Sequence, residues 1–231
     1  MNRLVVDDLS FEVRESPRRR SIGIAVERDN SLTLLAPPDT SPAVLRGIVL
    51  SKRTWIYRKL AAKSLLAPAP APKAFLDGQG FYYLGRSYRL LLSAASAGPP
   101  LQLRRGRFIL REPFEARARD HFITWYKAHL APWAEAEIAA LAPRLEVSPA
   151  DVQIRDIGNR WGSCTPAGRI LLHWRVALLP PRMITYVIAH ELAHLREPHH
   201  DIRFWTLLSR LLPDYADRKR WLAEHGGVYT L

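Results

Sequence analysis

His190-Glu-Leu-Ala-His194, running on into Leu-Arg-Glu-Pro-His-His200, is the stretch that decides how this chain is read. Four of the chain's eight histidines lie between His190 and His200. Residues four apart on a helix stand one above the other, so His190 and His194 point the same way. Two imidazoles so placed can share one metal ion. Glu191 stands beside them, near enough to reach a water on that ion without ligating it. This is the zinc-hydrolase pattern of two histidine ligands and a glutamate general base. A lone histidine on a helix face is ordinary. A pair at this spacing, with Glu191 between them and more histidines beyond, is not.

The flanking residues predict a helix. Pro180 and Pro181 suit its first turn, where a missing N–H costs no intrahelical bond. Ile184, Ile188, Leu192 and Leu195 repeat at helical spacing and make one apolar face. Met183, Tyr186, Val187, His190, Glu191 and His194 make the other, and Thr185, Ala189 and Ala193 form a small strip between. With so little charge before Arg196, the helix is expected to be buried on most sides, and Pro198 is expected to end it. A turn there would bring His200 back towards His190 and His194, which makes His200 the favoured third ligand. His199 is the second choice, and Asp214 or Asp217 from a following helix remains open. Metzincin proteases share the six-residue step to the third histidine, but they carry a glycine midway, where Glu197 stands here, and a downstream methionine turn. This chain has only Met1 and Met183.

At 231 residues the chain is long enough for one large domain or a domain with a small appendage. Its one cysteine, Cys164, excludes an internal disulfide and a cysteine zinc knuckle. Residues 1–8 hold no apolar stretch of signal-peptide length, and no run reaches the roughly eighteen apolar residues of a membrane span. A reducing cytoplasm is the expected compartment. Lys plus Arg number 34 against 22 Asp plus Glu, a net charge of +12. Such a balance suits nucleic acid or another acidic partner, or simply a solvated basic surface.

The first half reads mostly as strands. Leu4-Val-Val and Phe11-Glu-Val-Arg come first, then Ser21–Val26, then Leu32-Thr-Leu-Leu after the turn residues Asp29-Asn30-Ser31. Arg18-Arg-Arg20 either meets phosphates or keeps a sheet edge soluble. Ser41 caps a helix over about 41–63, with Pro42 in its first turn. A Pro/Ala linker covers 66–73. Hairpins are expected around Gly85-Arg86 and Arg105-Gly106. From Glu115 the period becomes helical, with a kink expected at Pro132. Asp151–Arg155 and Arg169–Val176 read as strands, and Asp201 is expected to cap a helix over 202–212. A last helix runs from about Asp214 to His225. No internal repeat is evident. The expected division is a β-hairpin-rich part over 1–112 and a second domain over 113–231, in the α+β class.

Trp161-Gly-Ser-Cys164, Ile170-Leu-Leu-His-Trp174, the segment from Tyr186 to Leu195 and His199-His200-Asp-Ile-Arg-Phe-Trp205 together resemble the YgjP-like family of bacterial metal-dependent hydrolases, predicted zinc metallopeptidases related to minimal gluzincin and SprT-like proteases. The likeness covers nearly the whole chain. It implies a zincin-like core of site helix, adjacent mixed sheet and C-terminal helices, a Zn2+ cofactor and a polypeptide substrate. It also maps the third ligand onto His200. The family carries Asn-His-Ser where His199, His200 and Asp201 stand, and more usually asparagine at His173. Nucleotide pyrophosphatase activity has also been assigned within the family, and SprT-like relatives associate with DNA; these are the alternative readings. Trp161-Gly-Ser-Cys164 reads either as a strand turn packed through Trp161 or as an edge beside the cleft that pairs with an extended peptide. Tyr186 and Glu197 are candidates for supporting roles, Glu197 by orienting a ligand imidazole.

Overall fold

The computed structural model describes residues 2–27, 31–64, 71–94 and 97–231. The expected turn at Asp29-Asn30 and the first residues of the Pro/Ala linker lie outside them. The chain is α+β and divides into two compact units, Met1–Ala69 and Pro70–Leu231.

In the first unit, β1 (Asn2–Val6) and β2 (Leu9–Glu15) form a hairpin whose two-residue turn places Asp7 at φ 54°. Aspartate tolerates that conformation better than most side chains do. β3 (Gly23–Val26) pairs antiparallel with β4 (Leu32–Ala36), and β2 and β4 run parallel in the order β1-β2-β4-β3. Val6, Leu9, Phe11, Leu34 and Ala36 face inward. They meet Leu45, Val49 and Ile56 from the helical segment that follows. Ser41 accepts from the Val44 amide at 3.4 Å and so caps that segment. The single helix expected there is two, α1 (Pro42–Ser51) and α2 (Arg53–Ser64). They divide at Lys52, whose amide turns back to Ile48 and Val49.

The second unit opens with another four-stranded sheet, β5 (Gly80–Tyr83), β6 (Arg86–Ser93), β7 (Leu101–Arg104) and β8 (Arg107–Arg111), in the order β5-β6-β8-β7. Both hairpins turn on pairs with positive φ, Leu84-Gly85 and Arg105-Gly106, as tight two-residue hairpins require. The topology repeats that of the first sheet: two hairpins, second strands paired in parallel, then a helix. Such a plan constrains only which positions alternate inward, Leu34 and Ala36 in one sheet, Phe108 and Leu110 in the other. The repeat is therefore invisible in residue identity.

α3 (Ala118–Leu145) follows a short 3-10 turn and runs unbroken through Pro132 and Pro143. Phe122 of α3 stacks on Phe81 of β5 with centroids 4.3 Å apart, and the Tyr126 hydroxyl donates to the Tyr82 carbonyl at 2.7 Å. This packing joins the second sheet to the helices, so the compact unit begins at Pro70 rather than at 113, where the change of period put the division.

A three-stranded mixed sheet comes next, β9 (Asp151–Arg155), β10 (Gly162–Cys164) and β11 (Arg169–His173), with β11 central and β10 at an edge. β11 stops at His173, short of the expected Val176. The reason is a cap. His173 Nδ1 accepts from the Arg175 amide at 3.0 Å and starts a buried 3-10 turn over Trp174–Leu178. An asparagine oxygen can fill the same acceptor position, which accounts for the asparagine expected there. Burial among neighbours that include the Arg175 guanidinium holds the His173 imidazole down at about 4, below the 6.5 of a free histidine. The unfolded chain therefore binds the proton more readily. This stability is complete above about pH 6.5 and is lost as pH falls towards 4. Between pH 7 and pH 5, denaturant unfolding should show the wild type losing roughly 2 kcal/mol more than His173→Asn. Parallel pH profiles would contradict the assignment.

α4 (Pro181–Ala193), α5 (Ile202–Leu211) and α6 (Tyr215–His225) complete the unit. α4 packs between α3, α5, α6 and β10. Ile184, Ile188 and Leu192 are fully buried, and Ala189 and Ala193 are buried on the small strip. The Leu84-Gly85 turn is pinned at the start of α4. Its two amides donate to the Ala177 and Leu178 carbonyls at 2.9 and 3.0 Å. A Cβ at Gly85 would stand 2.9 Å from the Pro180 backbone, so only glycine fits. Among the described residues, no helix is long and apolar enough to cross a membrane.

Candidate metal centre

α4 ends at Ala193, with His194 as its C-terminal cap four residues before Pro198, and the Arg196 and Glu197 amides fold back onto the Ala193 carbonyl. The backward turn brings His200 under His190 and His194. His200 Nε2 lies 2.9 Å from His190 Nε2 and 3.1 Å from His194 Nε2. Among the described residues these three are the histidine, cysteine or acidic side chains grouped closely enough to hold one ion, with ligand atoms within 4.8 Å of one another. The other candidates lie elsewhere. His199 is exposed, Asp214 pairs with Arg218 at 2.9 Å, and Asp217 pairs with Arg220.

The surroundings hold the imidazoles neutral and aimed. Burial and the two neighbouring imidazoles press the His190 pKa down to about 3, and burial also lowers those of His194 and His200. His194 Nδ1–H donates to the Glu197 carbonyl at 3.1 Å, which leaves the Nε2 lone pair facing the cluster. Glu197 thus orients a candidate ligand through its backbone, while its carboxylate stands 3.7 Å from Arg203. Phe204, fully buried, forms a floor under all three rings, with centroids 4.6 to 5.0 Å away. His200 lies outside any helix and is held by Trp205. The indole Nε1–H donates to the His200 carbonyl at 3.1 Å and the two rings stack at 5.4 Å. Trp205 is itself steadied by Tyr215, stacked at 5.4 Å, and by Lys219 Nζ, 4.0 Å from its ring. Asp201 accepts from the Arg203 and Phe204 amides at 3.0 and 3.2 Å and caps α5. The serine expected at that place would cap equally well.

This donor set fits a divalent ion. Neutral His194 spends its one N–H on Glu197, so its Nε2 has no hydrogen. If His200 Nε2 donates to it, His200 has no lone pair left for His190; if His200 Nε2 instead accepts from His190, the contact with His194 has no proton to bridge it. A cation among the three lone pairs removes that repulsion, and imidazole nitrogen suits zinc far better than magnesium.

Glu191 shares the cleft and is 5 % exposed. Burial pushes its pKa up to about 8, offset in part by the nearby Arg160 charge and by the Cys164 amide, which hydrogen-bonds the carboxylate. A cation held by the histidines would favour the ionised form. Gly162 on β10 makes room for this carboxylate. A Cβ there would lie 2.6 Å from Glu191 Cγ and Oε1. The role of Gly162 was not assigned from the sequence, although a glycine inside a strand is a signal of close approach. The cleft measures about 850 Å³; β10 lines one side, α4 lines another, and Tyr186 and His200 are on its wall. Tyr186 is 6 % exposed, and burial raises its pKa to about 12, so it stays protonated.

The model of the family described as YgjP-like, metallopeptidase domain, matches residues 20–225. The chain belongs to the YgjP-like family. Membership implies a metal-dependent peptidase acting on polypeptide, and the histidine triad can hold a divalent ion. None of the curated proteins compared with this YgjP-like chain matches it. Among solved structures it is similar to the crystal structure of the metallopeptidase zymogen of Pyrococcus abyssi abylysin, with 23 % identity over 40 % of this chain and 95 % of that one. The TM-score is 0.37, too low to carry an argument about fold.

Proposed function

We propose that this chain is a zinc metallopeptidase with a zincin-like core. His190, His194 and His200 hold the ion, and Glu191 is the general base. The observation that carries this reading is the convergence of three Nε2 atoms in the cleft that also contains the Glu191 carboxylate. When bound, zinc lowers the pKa of a coordinated water to about 7 and polarises a carbonyl. Glu191 takes the proton of the attacking water and returns it to the leaving nitrogen. Gly162 and the Cys164 amide position that carboxylate. β10 is an edge strand lining the cleft, so an extended peptide can be held there by backbone pairing. Phe204 and Trp205 keep the triad assembled while substrate enters and leaves.

The test is incubation of zinc-loaded protein with unfolded polypeptides and, separately, with nucleoside triphosphates. Polypeptide cleavage that a chelator stops and zinc restores is the expected result. Hydrolysis of triphosphates with polypeptides left intact would replace this reading with the pyrophosphatase one.

A further inference from the structure

Arg160 is the residue two before β10, and its exposed side chain lines the cleft. Its Nη1 donates to Ser163 Oγ at 3.1 Å. Some arginines of the same unit sit against carboxylates, Arg169 on Asp151 at 3.0 Å, Arg196 on Glu146 at 3.3 Å and Arg218 on Asp214 at 2.9 Å, while others such as Arg86 and Arg144 do not; Arg160 is the arginine among the residues that line the cleft. Among the described residues, Arg160 has no such carboxylate within 4.0 Å. Glu191 is the one acidic side chain among those lining the cleft, and it is buried and engaged by the Cys164 amide. The charge presented to an incoming chain is therefore positive. Ser163 steadies one N–H of a guanidinium that has five, and the rest are free for a planar, two-oxygen partner.

We propose that Arg160 selects substrates by binding a carboxylate, so that the cleft favours polypeptides with an Asp or Glu side chain close to the scissile bond. The proposal rests on the peptidase reading for its substrate class, while the anion preference rests on Arg160 alone. An extended substrate beside β10 would turn alternate side chains the same way, which gives Arg160 one fixed position to read.

The probes are three fluorescent peptides identical except for Glu, Gln or Lys at one position, scanned along the sequence. Binding is measured on zinc-loaded Glu191→Gln protein, with and without Arg160→Gln or Arg160→Glu, and cleavage is measured on the corresponding proteins with Glu191 intact. At one position the Glu peptide should bind about tenfold more tightly than the Gln peptide, a difference of 1.4 kcal/mol. Arg160→Gln should erase that difference, and Arg160→Glu should turn it towards Lys. Cleavage should follow in KM more than in kcat. Equal binding of the three peptides at every position, or no binding by any, overturns the proposal. So does an equal fall in kcat for all peptides in Arg160→Gln with the Glu-over-Gln difference in binding intact, which would confine the Arg160 charge to an action on Glu191 or on the developing oxyanion. So does loss of triphosphate hydrolysis in Arg160→Gln with peptide discrimination intact. Preference for the Glu peptide in binding without cleavage of any peptide would uphold Arg160 as a carboxylate site while removing the peptidase reading. Far-ultraviolet circular dichroism and unfolding midpoints of each variant exclude misfolding as the cause.

Discussion

Glu191→Gln should retain the fold and one zinc per chain while losing roughly a thousandfold or more in kcat on a cleavable polypeptide. A positioned general acid–base contributes about 10² to 10⁴ in rate, and in the proposed mechanism one carboxylate would serve both the attack and the departure. The amide has the carboxylate's size and fits against Gly162 as the native side chain does. Its oxygen can still accept from the Cys164 amide. It cannot take a proton from water. In the metal-free chain the same substitution should raise the unfolding midpoint, because it removes an ionisable group whose burial opposes its charge. Stability and activity thus move in opposite directions, which general damage to the fold would not produce. Full turnover in Glu191→Gln would remove the base from the scheme.

Gly162→Ala should lower kcat by about a hundredfold with little change in zinc affinity. The added Cβ would occupy space 2.6 Å from Glu191 Cγ and Oε1, and β10 is held in place by its register with β11. The end of the Glu191 side chain therefore gives way. A displacement of about 1 Å at a reacting group costs on the order of 10² in rate. His190, His194 and His200 lie outside this contact, so metal titration separates the two effects. Wild-type kcat in Gly162→Ala would mean that the carboxylate has room to reach its task by another path.

How far the sequence could be read follows from the range of the interactions involved. Local rules sufficed for α4, where Pro180 and Pro181 open a helix and Ile184, Ile188 and Leu192 mark its buried face. They sufficed as well for the Asp201 cap and for the step that returns His200 to the triad. What depends on contacts distant in sequence was not legible. The unit starts at Pro70 because Phe81 meets Phe122, forty-one residues on, and no local period reports that. β11 stops where the His173 ring turns back on the Arg175 amide, a use of histidine that its type does not announce. Trp161-Gly-Ser-Cys164 suggested either a turn or an edge. Only the approach of Glu191 to Gly162 reveals that the missing side chain is the feature that matters. The spacing that marks Glu197 as a partner for a ligand imidazole does not say which of its groups meets the ring, and the contact with His194 is made by the backbone carbonyl.

The proposed chemistry requires three imidazoles that share one ion. Equilibrium dialysis against zinc, on wild type beside His194→Ala and His200→Ala, tests this most directly. One zinc per wild-type chain is expected, with affinity lower by more than about a hundredfold in each variant. Zinc bound with unchanged stoichiometry and affinity in both variants would contradict it.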